Sequence, residues 1–186
     1  MKTLYKWSVA DYHQIVQSGV LAGKSVELLE GEIISISPES PIHSSRIDTV
    51  AEYLRRVLQG NTKVREAHPI TLDNSEPEPD IAIVRFNNNN YATRHPYAQD
   101  IYWLVEIANR TLTKDLSEKS VTYARNGISE YWVIDLVNNK LWLFRKPENN
   151  SYQIQQELTT GVINAIAFPQ IDIEVERLLN LSLIHI

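Results

Sequence analysis

The chain has 186 residues, of which 43% are hydrophobic and 22% charged, with no cysteine and a formal net charge of −5. That is the profile of a single globular domain, and we expect one domain over residues 1–186. The absence of cysteine excludes disulfides, thiolate nucleophiles and thiolate metal sites. The acidic balance argues against a broad basic footprint for nucleic acid, though not against a local one. No apolar run approaches the roughly 20 residues that a membrane span needs. The opening "MKTLYKWSVADYHQ" also lacks the apolar core of a secretory signal. The expected address is therefore cytoplasmic, with no membrane partner.

Taken in chain order, "SVADYHQIVQSG" predicts a first helix, with Ser8 as N-cap, Asp11 completing a capping box and Gly19 as the stop. "SVELLEGEIISIS" (25–37) reads as two strands turning at Glu30-Gly31. Ile47, Val50, Ala51, Leu54, Val57 and Leu58 recur at helical spacing, which predicts a helix from about 42 to 59, ended by Gly60. Short strands are expected at "TKVREA" and "PITL", then at "PEPDIAIV" (77–84). The polar stretch "FNNNNYATRHPYAQD" (86–100) reads as an exposed loop. Next comes the most apolar run, "IYWLVEI" (101–107), then a helix from about 115 to 125, closed by Gly127.

"EYWVIDL" and "KLWLFRK" form a further hairpin, followed by a strand at "SYQIQQEL" and a short final strand or helix. Trp103, Trp132 and Trp142 are expected to pack on the sheet. The apolar end, "LSLIHI", is expected to dock on the sheet or on a second copy. The element order implies an α/β fold, a central mixed sheet flanked by helices, with a parallel crossover between residues 101 and 135.

Three residues stand out. Asp80 follows Pro79 at the start of an apolar strand. Glu106 closes the most buried-looking strand, where an unpaired carboxylate would cost several kcal/mol, about 3 or more. Lys119 falls on the same helical stripe as Leu112, Leu116 and Tyr123, a misplaced charge on a merely amphipathic helix. Two carboxylates suit Mg²⁺ or Mn²⁺, which take hard oxygen ligands and keep several waters. A neighbouring ammonium would stabilise charge developing on a phosphoryl group. Structure alone offers a plainer account of each: a solvated strand end for Glu106, a turn residue for Asp80, and for Lys119 a helical ion pair with Asp115 four positions earlier.

The order Pro79-Asp80, Glu106, Lys119 resembles the PD-(D/E)xK nuclease superfamily, which implies the restriction-endonuclease-like fold. The match departs from the motif in one respect: the residue two after Glu106 is Ala108, and the lysine role moves to Lys119 on the next helix. "VELLEGEI", "SPESPIHS", "PEPDIAIV" and "LVEIANRTLTKDLSEKSVTYARNGISEYWVID" together are similar to one bacterial family of that superfamily, the Uma-two type. Two milder departures are "VEIAN" for the usual "VEV-S" and "GISEYW" for "GVPEYW".

The resemblance implies catalytic residues Asp80, Glu106, Lys119 and Glu27, with Asp80, Glu106 and Glu27 as the metal ligands. His43, Asn109, Arg110 and Lys114 are the expected substrate contacts. The implied activity is Mg²⁺- or Mn²⁺-dependent phosphodiester hydrolysis on nucleic acid, with DNA as the expected substrate; a homodimer is compatible with cutting both strands. The alternative is a catalytically inactive nuclease-fold module that binds nucleic acid or a protein. A two-carboxylate glycosidase fits less well, because its acids must flank a sugar cleft and a strand lysine has no place there.

Overall fold

The computed structural model describes residues 3–60 and 62–180. The "LSLIHI" segment lies outside the described residues. The first helix, α1 (Val9–Gln17), starts at the expected capping box: Asp11 N–H donates to Ser8 Oγ at 3.1 Å, and Ser8 N–H to Asp11 Oδ2 at 3.0 Å. β1 (Val26–Leu29) and β2 (Glu32–Ser35) form an antiparallel hairpin. Both turn residues, Glu30 (φ 49°) and Gly31 (φ 74°), have left-handed backbone, the requirement of a tight two-residue turn. A side chain at Gly31 would also meet the main-chain oxygen of Trp7 at 3.2 Å.

The six-stranded sheet takes the order β3 (Thr62–Glu66), β4 (Ile81–Arg85), β5 (Ile101–Ala108), β6 (Glu130–Asp135), β7 (Lys140–Glu148) and β8 (Ser151–Leu158). All neighbours are antiparallel except β5 and β6, which run parallel. That pair needs a crossover, and the helical stretch after β5 supplies it. α3 (Leu112–Lys114), a π turn (Asp115–Lys119) and α4 (Ser120–Arg125) follow one another without a break. The sequence places this helix at 115–125; it starts three residues earlier and is widened in the middle.

Alternation along the strands divides the core into two layers. Trp103, Val105 and Ile107 of β5 face α2 (Pro41–Val57) and α5 (Val175–Leu179), with Trp132 and Ile134 beside them. Leu104 and Ala108 face the crossover helix, with Ala82, Val84, Tyr123 and Tyr131. Trp103 and Trp132 are fully buried, with ring centroids 5.3 Å apart, and Trp142 packs partly buried on the second layer. Burial of each such side chain is worth roughly 1.5–3 kcal/mol.

The strand expected at "PITL" does not form a ladder. Ile70 N–H donates to Pro77 O, Thr71 N–H to Pro96 O and Leu72 N–H to Ser75 O, three separate bonds to two segments. The facing stretch carries Pro77 and Pro79, which have no N–H to return. β9 (Val162–Ile163) and β10 (Ile173–Glu174) form a small separate pair before α5.

Candidate functional site

β4 and β5 pair antiparallel, with Ile81 opposite Val105 and Ala82 opposite Leu104. Asp80, the residue just before β4, reaches the same end of β5: its N–H approaches Glu106 Oε2 at 3.5 Å and its carboxylate accepts the Ile107 N–H. Two acids 26 positions apart in sequence thus meet at one end of the sheet. They open on a cleft of about 600 Å³. Glu27, His43, Asn109, Arg110, Lys114 and Lys119 also line it, so every site residue expected from the sequence reaches the same cavity. Glu78 and Asp115 line it as well.

Each acid is held by named partners. Asp80 Oδ2 accepts the Ile107 main-chain N–H at 2.6 Å and bonds His43 Nε2 at 3.2 Å. Its hydrogen bond to the Asp80 carboxylate raises the pKa of His43 against the effect of burial. His43 sits in the first turn of α2, so the helix that packs on the opposite face reaches the site with its N-terminus. Glu106 is 2% exposed. Its Oε1 lies 2.8 Å from Lys119 Nζ and accepts the Tyr123 hydroxyl at 2.8 Å. Among the described residues its Oε2 has only the Asp80 N–H, at 3.5 Å.

Burial pushes the Glu106 carboxyl up to about 8, against the pull of the Lys119 ammonium. Burial works the other way on Lys119, but the carboxylates of Glu106, Glu27, Asp115 and Asp80 outweigh it and hold the amine protonated. The offset for burying Glu106 is therefore a buried ammonium and a tyrosine hydroxyl, with a share of proton retention. The helical pair between Lys119 and Asp115 also exists, but at 3.8 Å it is the looser of the two contacts.

Glu27 stands apart from the Asp80–Glu106 pair. Its Oε1 accepts from Lys114 Nζ at 2.9 Å and its Oε2 from the Glu78 N–H at 3.1 Å. The neighbouring acids of the hairpin face elsewhere: Glu30 toward Arg125, Thr122 and Asn74, and Glu32 toward Lys6. Asn109 and Arg110 line the cleft without a side-chain hydrogen bond among the described residues, and Arg110 is exposed.

For a divalent ion, the open donors are Glu106 Oε2 and Asp80 Oδ1, hard oxygens of two residues that line one cleft. Among the described residues, no group of three or more His, Asp or Glu is close enough to hold an ion together. Glu27 reaches the cleft but is turned to Lys114, so two carboxylates are available in this arrangement. Two suffice in chemical type for Mg²⁺ or Mn²⁺, which keep several waters.

Two residues of the site were not singled out from the sequence. Asp115, 2% exposed, is more than a salt-bridge partner: its Oδ2 is buried without a close hydrogen bond among the described residues, and burial raises its pKa against Lys119 and the Thr111 side chain. Glu78 sits between Glu76 and Asp80 on an extended segment, and burial, with Glu27 and Glu76 nearby, raises its pKa too. The alternating acids of "EPEPD" were the visible signal for Glu78.

A family model described as "Putative restriction endonuclease" (Uma2) matches residues 9–176. Among solved structures, the chain is similar to one titled "a putative nuclease belonging to DUF820" from Anabaena variabilis. The match has a TM-score of 0.67 at 17% identity and covers 83% of this chain and 89% of that one. At that identity the likeness shows the fold alone. No curated protein matches. No helix among the described residues is long and apolar enough to cross a membrane. With a six-stranded mixed sheet between helical layers and a family match over nearly the whole length, the chain belongs to the Uma2 restriction-endonuclease family and has its α/β restriction-endonuclease-like fold.

Proposed function

We propose that this chain hydrolyses phosphodiester bonds in nucleic acid, DNA above all, with Mg²⁺ or Mn²⁺ as cofactor. The observation that carries the reading is that Asp80, just before β4, and Glu106, near the end of β5, line one cleft in which Lys119 is buried against Glu106 at 2.8 Å. A divalent cation at the two carboxylates would polarise the phosphodiester and acidify a bound water. The ammonium of Lys119 supplies fixed positive charge for the phosphoryl oxygens as they become more negative. The Ile107 N–H and His43 fix the Asp80 carboxylate, and the Tyr123 hydroxyl fixes that of Glu106. His43, Asn109, Arg110 and Lys114 lie along the cleft where a sugar–phosphate strand would pass.

Plasmid nicking with Mg²⁺ tests this reading, comparing wild type with Asp80→Asn, Glu106→Gln and Lys119→Met. We expect wild type to cut and each variant to lose at least a hundredfold, while the same three comparisons on an RNA transcript sort the substrate class. Equal activity in all four proteins would remove these residues from the chemistry.

A second reading is supported by the ion pairs themselves. Lys119 on Glu106 and Lys114 on Glu27 neutralise two acids without a metal ion. A module that binds nucleic acid or a protein without cutting would look the same. Calorimetry with Mn²⁺ separates the two readings, because the module binds no ion in this cleft.

A further inference from the structure

The mechanism above leaves Asp115, a buried acid of the cleft, unused. Asp115 is almost wholly buried, lines the cleft, and has one oxygen without a hydrogen-bond partner among the described residues. Its other oxygen lies 3.8 Å from Lys119 Nζ, while that ammonium rests on Glu106 at 2.8 Å. A carboxylate kept half-satisfied inside a protein costs stability, and such a group calls for an explanation. Asp115 and Lys119 are the first and last residues of a π turn, a rare distortion that recurs at functional sites. Tyr131 anchors the turn by donating to the Asp115 main-chain oxygen at 3.1 Å.

Lys119 has two acids within reach and is closer to only one. A divalent ion and an ammonium on the same carboxylate repel each other, so loading Glu106 with a cation weakens its hold on Lys119. The next nearest counter-charge is Asp115, about an ångström further than hydrogen-bond distance and with its second oxygen lacking a hydrogen bond among the described residues. We propose that Asp115 is a positioning residue that receives the Lys119 ammonium when Glu106 turns to a divalent cation, keeping the amine in the cleft. This inference rests on the cation reading above.

The test is calorimetric titration of Mn²⁺ into wild type, Asp115→Asn, Asp115→Glu, Lys119→Met and the double variant Lys119→Met/Asp115→Asn. Asp115→Asn removes the receiving charge, and Mn²⁺ affinity should fall by about tenfold, the scale of one charged hydrogen bond. Asp115→Glu should restore affinity to within about threefold of wild type on the same scale. With Lys119 already replaced, Asp115→Asn should have no further effect, which a direct ligand or a merely structural acid would not reproduce. An Asp115→Asn protein that binds Mn²⁺ as wild type does, or one that loses the same factor in both backgrounds, overturns the proposal and leaves the cation reading intact. A wild type that binds no Mn²⁺ overturns both. Should Asp115→Asn fail to fold, nuclear magnetic resonance of the wild type decides. Mg²⁺ should shift the Asp115 carboxyl carbon together with Lys119 Nζ, and an unmoved Asp115 signal beside a shifted Glu106 refutes the transfer.

Discussion

The Lys119 ammonium and the Glu106 carboxylate stand 2.8 Å apart, both almost wholly out of solvent, at the open end of the sheet. A pair in that setting gains little net stability by existing, since two desolvation penalties offset its attraction, but loses much when one member is removed. Glu106→Ala should therefore cost about 3–5 kcal/mol in urea denaturation, because it strips a buried ammonium of its nearest counter-charge. Lys119→Met combined with Glu106→Leu should recover most of that loss. Equal losses in the single and double variants would show that the two side chains are not coupled.

The raised pKa of Glu106 gives stability a definite pH slope. Its ordinary value is 4.5, and its value in the folded chain is about 8. Between these limits the folded state binds more protons than the unfolded state, so stability falls as pH rises. The contribution is complete below the unfolded value and is lost as pH passes through about 8. Relative to Glu106→Gln, which cannot titrate, wild type should lose at most about 1.4 kcal/mol per pH unit across this window. His43, raised by its bond to Asp80, and Asp115, raised by burial, add slopes of the same sign that both proteins share. A difference curve flat between pH 5 and 9, roughly the span of the window, would contradict the assignment.

Lys114 differs from Lys119 in exposure: its side chain is 30% exposed, against 9%. Glu27 is itself 3% exposed, so Lys114→Ala leaves a buried carboxylate short of a partner and should lower stability by about 1–3 kcal/mol in urea denaturation. The same substitution frees Glu27 Oε1 and adds a third carboxylate to the cleft. Mn²⁺ affinity measured by calorimetry should rise, by about threefold or more if Glu27 turns inward. Unchanged affinity would place Glu27 outside any cation site.

Local patterning carries most of the fold. Alternation in "IYWLVEIA" separates Trp103 and Val105 from Leu104 and Glu106, and the residues between the two apolar strands can only be a crossover. The capping box at Ser8 and the turn at Glu30-Gly31 are equally local. What escapes is tertiary. The pairing of Lys114 with Glu27 spans 87 residues, and that of His43 with Asp80 spans 37; no spacing rule links them. The π turn is invisible for a different reason. Positions 115 and 119 share a face in an α-helix too, so the pattern fits either geometry, and only the hydrogen bonds distinguish them. The strand expected at "PITL" fails because its neighbour is interrupted by prolines, a property of the partner segment.

Glu130 is the buried acid that the sequence disguises best, since it reads as the polar first residue of "EYWVID". It is fully buried, and its Oε1 accepts from Arg145 Nη2 at 2.6 Å, Arg145 Nε at 2.9 Å and Trp132 Nε1 at 2.9 Å. Its Oε2 accepts the Ile166 N–H at 2.7 Å. Every lone pair that matters is used, whereas among the described residues Glu106 keeps one oxygen almost free and Asp115 keeps one without a hydrogen bond. That difference separates an acid that ties β6 to β7 and to the backbone at Ile166 from acids that keep an oxygen open on the cleft. Arg145→Met strips Glu130 of its guanidinium partner and should cost about 3–5 kcal/mol in denaturant titration. Because Glu130 and Arg145 do not line the cleft, Mn²⁺ affinity of the folded variant should stay within about twofold of wild type. A large loss of affinity with little loss of stability would reverse the assignment and make the Glu130 network part of the site.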